Sequence, residues 1–231
     1  MTFSAVRQGT DQIHRALRVD ILSAALLPGA AMSEARMALQ FGVSRTPVRE
    51  AFKRLVEEGF LVVVPQVGTF VAPIDLAAVY DSQFVRETLE CRTVVLAAQN
   101  IDAEGRIRLD DLVARQAAAM QAGDRTTFFR LDEAFHAQLL QLAGHPSVWS
   151  MIESVKAQLD RVRCLSLETP SWSDMILSEH RTIAACVGRG DANGAEAAMR
   201  AHLRTVFDAI QKIAQAHVDA FDKSRLVAGG H

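Results

Sequence analysis

Cysteine is scarce: 3 residues in a chain of 231, at Cys91, Cys164 and Cys186, with no C-x-x-C pair among them. That excludes a disulfide framework and leaves the thiols as reduced, buried small side chains. Long apolar runs are missing too. No stretch approaches the roughly 20 residues that span a bilayer, and the opening MTFSAVRQGTDQIHRAL lacks the apolar core of a signal sequence. A cytoplasmic protein with no membrane partner is therefore expected. Nor is there an excess of charge of either sign, since 25 Lys and Arg stand against 27 Asp and Glu. This excludes binding to nucleic acid through bulk charge, as a structural nucleoid protein would do, so any DNA contact must be local. Residues 1–74 carry a net +2 and residues 75–231 a net −4, an asymmetry in the direction of a DNA-facing head. Internal repeats and low-complexity segments are also lacking. The 49% hydrophobic content is enough to give one large domain or two modest ones a real core.

What is present is helical periodicity, interrupted once. Ile13, Leu17, Ile21, Leu22 and Ala25 recur at helical spacing over 10–27 until Pro28-Gly29 stops them. Ser33 can cap a short helix to Phe41, Gly42 supplies a turn, and Ser44 caps a helix to Glu58 with Pro47 in its first turn. Phe52, Leu55 and Val56 should face the core, and Gly59 closes the helix. FLVVVPQVGTFVAP is β-branched on both sides of Pro65-Gln66-Val67-Gly68 and reads as a two-stranded hairpin. Helix, helix, turn, helix, hairpin is the order of a winged helix-turn-helix, here domain 1–73. From Asp75 onward only amphipathic helical segments occur, near 78–99, 103–121, 124–143, 146–167, 172–188 and 191–218. The fold class is therefore mainly α: a winged helix-turn-helix followed by an all-helical antiparallel bundle, domain 74–231. The tail SRLVAGGH is expected to fray.

The segment Gly42-Val43-Ser44-Arg45-Thr46-Pro47-Val48-Arg49-Glu50 gathers hydroxyls and guanidiniums at a helix start, where a recognition helix meets base edges and phosphates. Arg45 and Arg49, four residues apart, share one face and can enter one major groove. Ser44 and Thr46 suit phosphate oxygens. PG-x(3)-SE, GVSRTPVREAFKRLVEEGFL and VGTFV together resemble the winged helix-turn-helix of the GntR family over almost all of residues 10–73. The resemblance implies that Arg45, Thr46 and Arg49 contact an operator and that the turn near Gln66–Gly68 enters the adjacent minor groove. It departs at Ala35, where a basic residue is common, so Arg36 is expected to reach DNA from a different angle. Met37 replaces the usual Leu, a change of packing only.

In the second domain, polar groups sit on faces that should be buried. Phe128, Leu131, Phe135, Leu139 and Leu142 mark a stripe that carries Asp132 and His136 beside it; His180 and His202 lie within the stripes of the last two helices. A buried carboxylate without a partner costs several kcal/mol, and carboxylate with imidazole suits zinc, nickel, manganese or iron. Spacing alone does not bring the four together. FFRLDEAFHAQLL, SEHRTIAACVGRGD and AAMRAHL resemble the effector domain of the FadR subfamily in its metal-binding FCD form, over about 78–210. That likeness implies that Asp132, His136, His180 and His202 are metal ligands, leaving positions for water or an effector carboxylate. It also implies that Arg86 faces the same cavity as an anion clamp; an i,i+4 ion pair with Glu90 is the other reading of that residue. His145, where Asn is common, has an open role, and His14, His217 and His231 are expected on tails or surfaces.

The expectation is a homodimeric DNA-binding regulator, a repressor, that reads a pseudo-palindromic double-stranded operator and releases it on binding a small carboxylic acid. The alternative is a metal-dependent hydrolase or lyase using the Asp/His site. No further carboxylate or hydroxyl at recognisable spacing marks a general base or nucleophile for it.

Overall fold

The computed structural model describes residues 3–166 and 170–216. The expected fraying tail, His217 and His231 lie outside the described residues. The chain divides into two compact units, one of Met1–Asp75 with Ile213–His231 and one of Leu76–Lys212.

The first unit opens with α1 (Phe3–Leu22), whose Ile13, Leu17 and Ile21 form the buried stripe. The helix starts earlier than the periodicity predicts and ends five residues sooner. Ala24 takes a left-handed φ of 59° and the Leu26 N–H returns to the Asp20 carbonyl at 2.9 Å, which closes the helix before Pro28 is reached. A two-residue strand, β1 (Ala31–Met32), follows, too short to show any alternation in sequence. Ser33 caps α2 (Glu34–Phe41) by accepting from the Arg36 N–H, and Gly42 ends it at φ 64°. α3 (Arg45–Glu57) starts at an extended Ser44 whose hydroxyl makes no cap bond, so the capping role expected of that side chain is not taken. Strands β2 (Leu61–Val64) and β3 (Gly68–Val71) complete an antiparallel sheet in the order β1-β3-β2, with Met32 opposite Thr69 and Val62 opposite Phe70. The hairpin turn is closed by the Val67 N–H on the Val64 carbonyl at 3.1 Å. Pro65 holds its second position and Gln66 its third at φ 63°, a place where glycine is usual. Val48, Phe52, Leu55, Phe60 and Val71 form the core with the α1 stripe. Val56, expected inside, is 37% exposed. His14, expected on the surface, is buried with Nε2 2.7 Å from Glu58 Oε1.

The second unit is all-helical. Its elements are α4 (Leu76–Asn100), α5 (Ala103–Gln121), α6 (Arg125–Leu142), α7 (Val148–Val155), α8 (Ala157–Ser166), α9 (Pro170–Gly188) and, as far as Lys212, α10 (Ala192–Ala216). Asp102 and Asp124 cap α5 and α6 by accepting from the amides of Gly105 and Thr127. The single helix expected over 146–167 is broken at Lys156. At the break the Ser82 hydroxyl lies 2.5 Å from the Val155 carbonyl, and the buried Lys156 ammonium donates to Glu133 and Asp160 at 2.5 and 2.6 Å. One apolar cluster runs through α4, α5, α6, α9 and α10, with Val94, Phe135, Leu139, Ile183 and Val187 at its centre. Burial pushes the Cys91 thiol up to about 11 and the Cys164 thiol to about 12, so neither is a thiolate at neutral pH. Among the described residues, no helix is long and apolar enough to cross a membrane.

Candidate functional site

In the first unit, α3 buries Pro47, Val48, Ala51, Phe52 and Leu55, which turns Ser44, Arg45, Thr46 and Arg49 outward into solvent. Arg45 and Arg49 are 63% exposed, and both reach one carboxylate, that of Glu34 on α2. Arg36 is exposed on α2, and Gln66 and Gly68 are exposed at the hairpin turn.

In the second unit, Asp132 and His136 on α6, His180 on α9 and His202 on α10 are all buried, and one ligand atom from each lies within 4.8 Å of all the others. Helical spacing explains the first two, since i and i+4 on α6 stack on one face. The others are brought in by packing of α9 and α10. His202 Nε2 is 3.3 Å from both His180 Nε2 and His136 Nε2, and His180 Nε2 is 3.6 Å from Asp132 Oδ1. Every ring has its other nitrogen against an oxygen: His180 Nδ1 is 2.7 Å from Gln116 Oε1, His202 Nδ1 2.7 Å from Glu179 Oε2, and His136 Nδ1 2.6 Å from Glu90 Oε2. At His180 and His202 these oxygens place the ring proton on Nδ1 and turn the Nε2 lone pair toward the cluster, while His136 Nδ1 meets Glu90 at ion-pair distance without hydrogen-bond geometry. Asp132 Oδ2 accepts from Arg163, which leaves Oδ1 to face the imidazoles.

The electrostatics of His180 and His202 favour neutral imidazoles beside an anion. Burial pushes His180 well below its ordinary value, with His202 adding to the effect. His202 is lowered mainly by burial, against the opposing pull of Glu179. For Asp132, burial alone would raise the pKa, but the adjacent Arg163 guanidinium outweighs it and holds the carboxyl well below the usual carboxylate range. Glu90 is likewise depressed, burial being overcome by Arg86 and His136. Neutral imidazoles with inward lone pairs beside a carboxylate are the donors a divalent transition metal takes. Without a cation, the His180 and His202 lone pairs face each other 3.3 Å apart with no donor between them, so the donor set fits such an ion.

Beside the cluster lies a small cavity of ≈ 40 Å³, lined among others by Arg86, Asp132, Arg163, Ser166, His202 and Thr205. Arg86 makes the ion pair with Glu90 and also lines this cavity. Its Nε donates to Glu90 Oε1 at 2.6 Å. His145 is exposed and does not line it.

Residues 10–71 match the model of the bacterial regulatory proteins of the gntR family, and residues 81–205 that of the FCD domain. The HTH-type transcriptional repressor RspR of Escherichia coli K12 is 35% identical over 212 residues, 92% of this chain and 93% of that one. This chain belongs to the GntR family. An HTH-type transcriptional regulator from an unstable DNA locus of Streptomyces ambofaciens is 41% identical to this GntR regulator over 207 residues, 90% of the chain and 87% of the relative. The fold is that of E. coli McbR/YncC, with a TM-score of 0.70 at 24% identity over 88% of this chain and 98% of that one. A GntR regulator from Rhodococcus gives 0.72 at 21% identity, over 87% of this chain and 97% of that one.

Sequence reading missed the residues that orient the four polar groups of the FCD domain. Glu90, Gln116, Arg163 and Glu179 come from α4, α5, α8 and α9, and each meets its partner only through tertiary packing. The one available signal was polarity at buried helical positions, as with the fully buried Gln116 between Val113 and Ala119.

Proposed function

We propose that this GntR-family regulator is a homodimeric, sequence-specific repressor whose hold on a pseudo-palindromic DNA operator is set by a small carboxylic acid at a metal site. Asp132, His136, His180 and His202 would hold the ion: zinc, nickel, manganese or iron. The observation that carries this reading is the convergence of imidazole Nε2 atoms 3.3 Å apart with Asp132 Oδ1, beside a cavity lined by two guanidiniums. When bound, a divalent ion supplies a positive centre at which a carboxylate can replace water. Arg86 and Arg163 add positive charge on the side where the acid would enter, and Thr205 and Ser166 supply hydroxyls.

In the other unit, Arg45, Thr46 and Arg49 would read the major groove, Ser44 and Arg36 the phosphates, and Gln66 and Gly68 the adjacent minor groove. One helix and one turn offer too few contacts for tight specific binding, which supports a two-fold assembly. Phe84 and Tyr80 on α4, 73% and 50% exposed, give that assembly apolar surface to cover. The name of RspR as a repressor supports the sign.

A metal-dependent hydrolase or lyase would need a carboxylate able to take a proton. Asp132 is held by Arg163, Glu90 by Arg86 and His136, and Glu179 by His202 and Thr205, which weighs against that alternative. The test begins with metal analysis of the purified protein and selection of a duplex from a randomised pool. Small mono- and dicarboxylates are then titrated while DNA affinity is followed. One acid is expected to weaken DNA binding by the same factor by which DNA weakens the acid. Conversion of the acid to product, with DNA affinity unmoved, would favour the enzyme.

A further inference from the structure

We infer that Gln116, on a helix that supplies no ligand, is the positioning residue that fixes the tautomer of His180 and keeps its Nε2 lone pair on the Asp132–His136–His202 cluster. The inference deepens the metal-site reading above, and it starts from a group that cannot change its role. The Leu131 carbonyl can only accept. It lies 3.1 Å from Gln116 Nε2, so the amide must turn its NH2 that way, and Gln116 Oε1 is thereby committed to the opposite side. That oxygen is 2.7 Å from His180 Nδ1. Because an amide oxygen can only accept, Nδ1 carries the proton, and because a neutral imidazole has a single N–H, Nε2 is a bare lone pair. The flipped amide would set Oε1 against the Leu131 carbonyl and NH2 against the ring, leaving two acceptors facing each other. Gln116 and His180 are both 0% exposed, so solvent offers neither an alternative partner.

The apolar ring neighbour does not make this choice. Phe135 stacks on His180 with centroids 4.4 Å apart and planes 20° from parallel, which holds the ring plane but is nearly the same for either edge of the imidazole. Among the described residues, Gln116 supplies the acceptor at hydrogen-bond distance from Nδ1, and the Nε2 side is left to the cluster, with His202 Nε2 at 3.3 Å and Asp132 Oδ1 at 3.6 Å. His136 and His202 take their orientation from the carboxylates of Glu90 and Glu179. At His180 the same ordering comes from a neutral amide, without a third buried anion to be compensated.

The test compares the wild type with Gln116→Met, which keeps the volume and loses the acceptor, and Gln116→Glu, which as the neutral acid keeps a carbonyl oxygen toward Nδ1 and an O–H toward the Leu131 carbonyl. Long-range ¹⁵N–¹H spectra of the metal-stripped proteins report the ring tautomer. The wild type and Gln116→Glu should show His180 as the Nδ1–H form, and Gln116→Met should shift toward Nε2–H. Zinc affinity, by competition with a chromophoric chelator, should fall about 10–100-fold in Gln116→Met and recover most of that loss in Gln116→Glu. A packing role alone would lower the unfolding midpoint and leave the tautomer unmoved. An Nε2–H signal for His180 in the stripped wild type overturns the assignment without recourse to any variant, as does an unchanged tautomer and zinc affinity in Gln116→Met. Zinc binding absent from the wild type, with the tautomer shift present, would remove the metal reading and leave Gln116 in its role.

Discussion

Glu34 accepts hydrogen bonds from both Nε and Nη2 of Arg49, at 3.2–3.3 Å, from the first turn of the neighbouring helix. The same carboxylate lies 3.6 Å from Arg45 Nη2. The pair is exposed, so solvent screening leaves it little worth to stability. Its effect is on charge and direction: one anion holds the two guanidiniums proposed to meet DNA. Glu34→Gln is expected to tighten binding to mixed-sequence duplex and to steepen its salt dependence by about one phosphate contact. Fluorescence anisotropy over a salt series measures both; an unchanged slope would mean that the ion pair opens freely on DNA.

Arg45→Ala and Arg49→Ala should each cost roughly 1–3 kcal/mol in affinity for a duplex selected by the wild type. Folding should survive, since both side chains are 63% exposed. Equal binding by wild type and both variants at matched salt would take α3 out of recognition.

Metal analysis of His180→Ala and His202→Ala should show depletion together with a lower melting temperature, because each removes one of the inward Nε2 donors. His145→Ala, on an exposed side chain, should keep the wild-type metal content. If all three behave alike, the cluster is a polar core rather than a binding site.

Arg86→Ala is predicted to damage the fold more than any ligand response. It leaves Glu90 fully buried without its guanidinium, a loss of about 3–5 kcal/mol for a broken buried pair, and it frees the oxygen that holds His136. Arg86→Ala with Glu90→Gln should recover part of the loss. Denaturant midpoints of the single and double variants decide it. An Arg86→Ala protein as stable as the wild type would show that water reaches Glu90.

Acid should destabilise the metal-stripped protein in two stages. The folded pKa values of His180 and His202 are depressed, chiefly by burial. Their contribution is fully present above the unfolded value of about 6.5 and is lost as pH falls from there, because the unfolded chain takes up protons first. Asp132 and Glu90 are depressed as well, so a further loss follows below about pH 4. Urea midpoints measured from neutral to acid pH test the order; a midpoint that is level through the imidazole range would contradict buried neutral rings.

Much of this was legible in the chain because the signals were local. Ser33, Gly42, Pro47 and Gly59 sit where caps and turns demand them, and Asp132 and His136 share a face by helical geometry alone. The strand Ala31–Met32 was not legible, since its existence depends on Phe70 and Thr69 across the sheet. The break at Lys156 was hidden for a related reason. No proline or glycine marks it, and its partners Glu133, Asp160 and Ser82 lie on other turns and other helices. His14 misled because a histidine near a terminus looks exposed until α3 brings Glu58 to it. The four polar groups of the second unit could be suspected singly, but their outward-facing nitrogens find Glu90, Gln116 and Glu179 only when five helices pack.

The carbonyl of Leu131 gives α6 a second hold on the cluster. Through Asp132 and His136 the helix contributes half of the four groups directly, and through Leu131 and Gln116 it governs which edge of His180 is offered. A single helix thus acts as the gauge of the whole assembly: sliding it along its axis by even a fraction of a turn would disturb three of the four donors together. The rate at which a bound ion escapes should then follow the excursions of α6, making metal off-rates a clock for the motion of one helix.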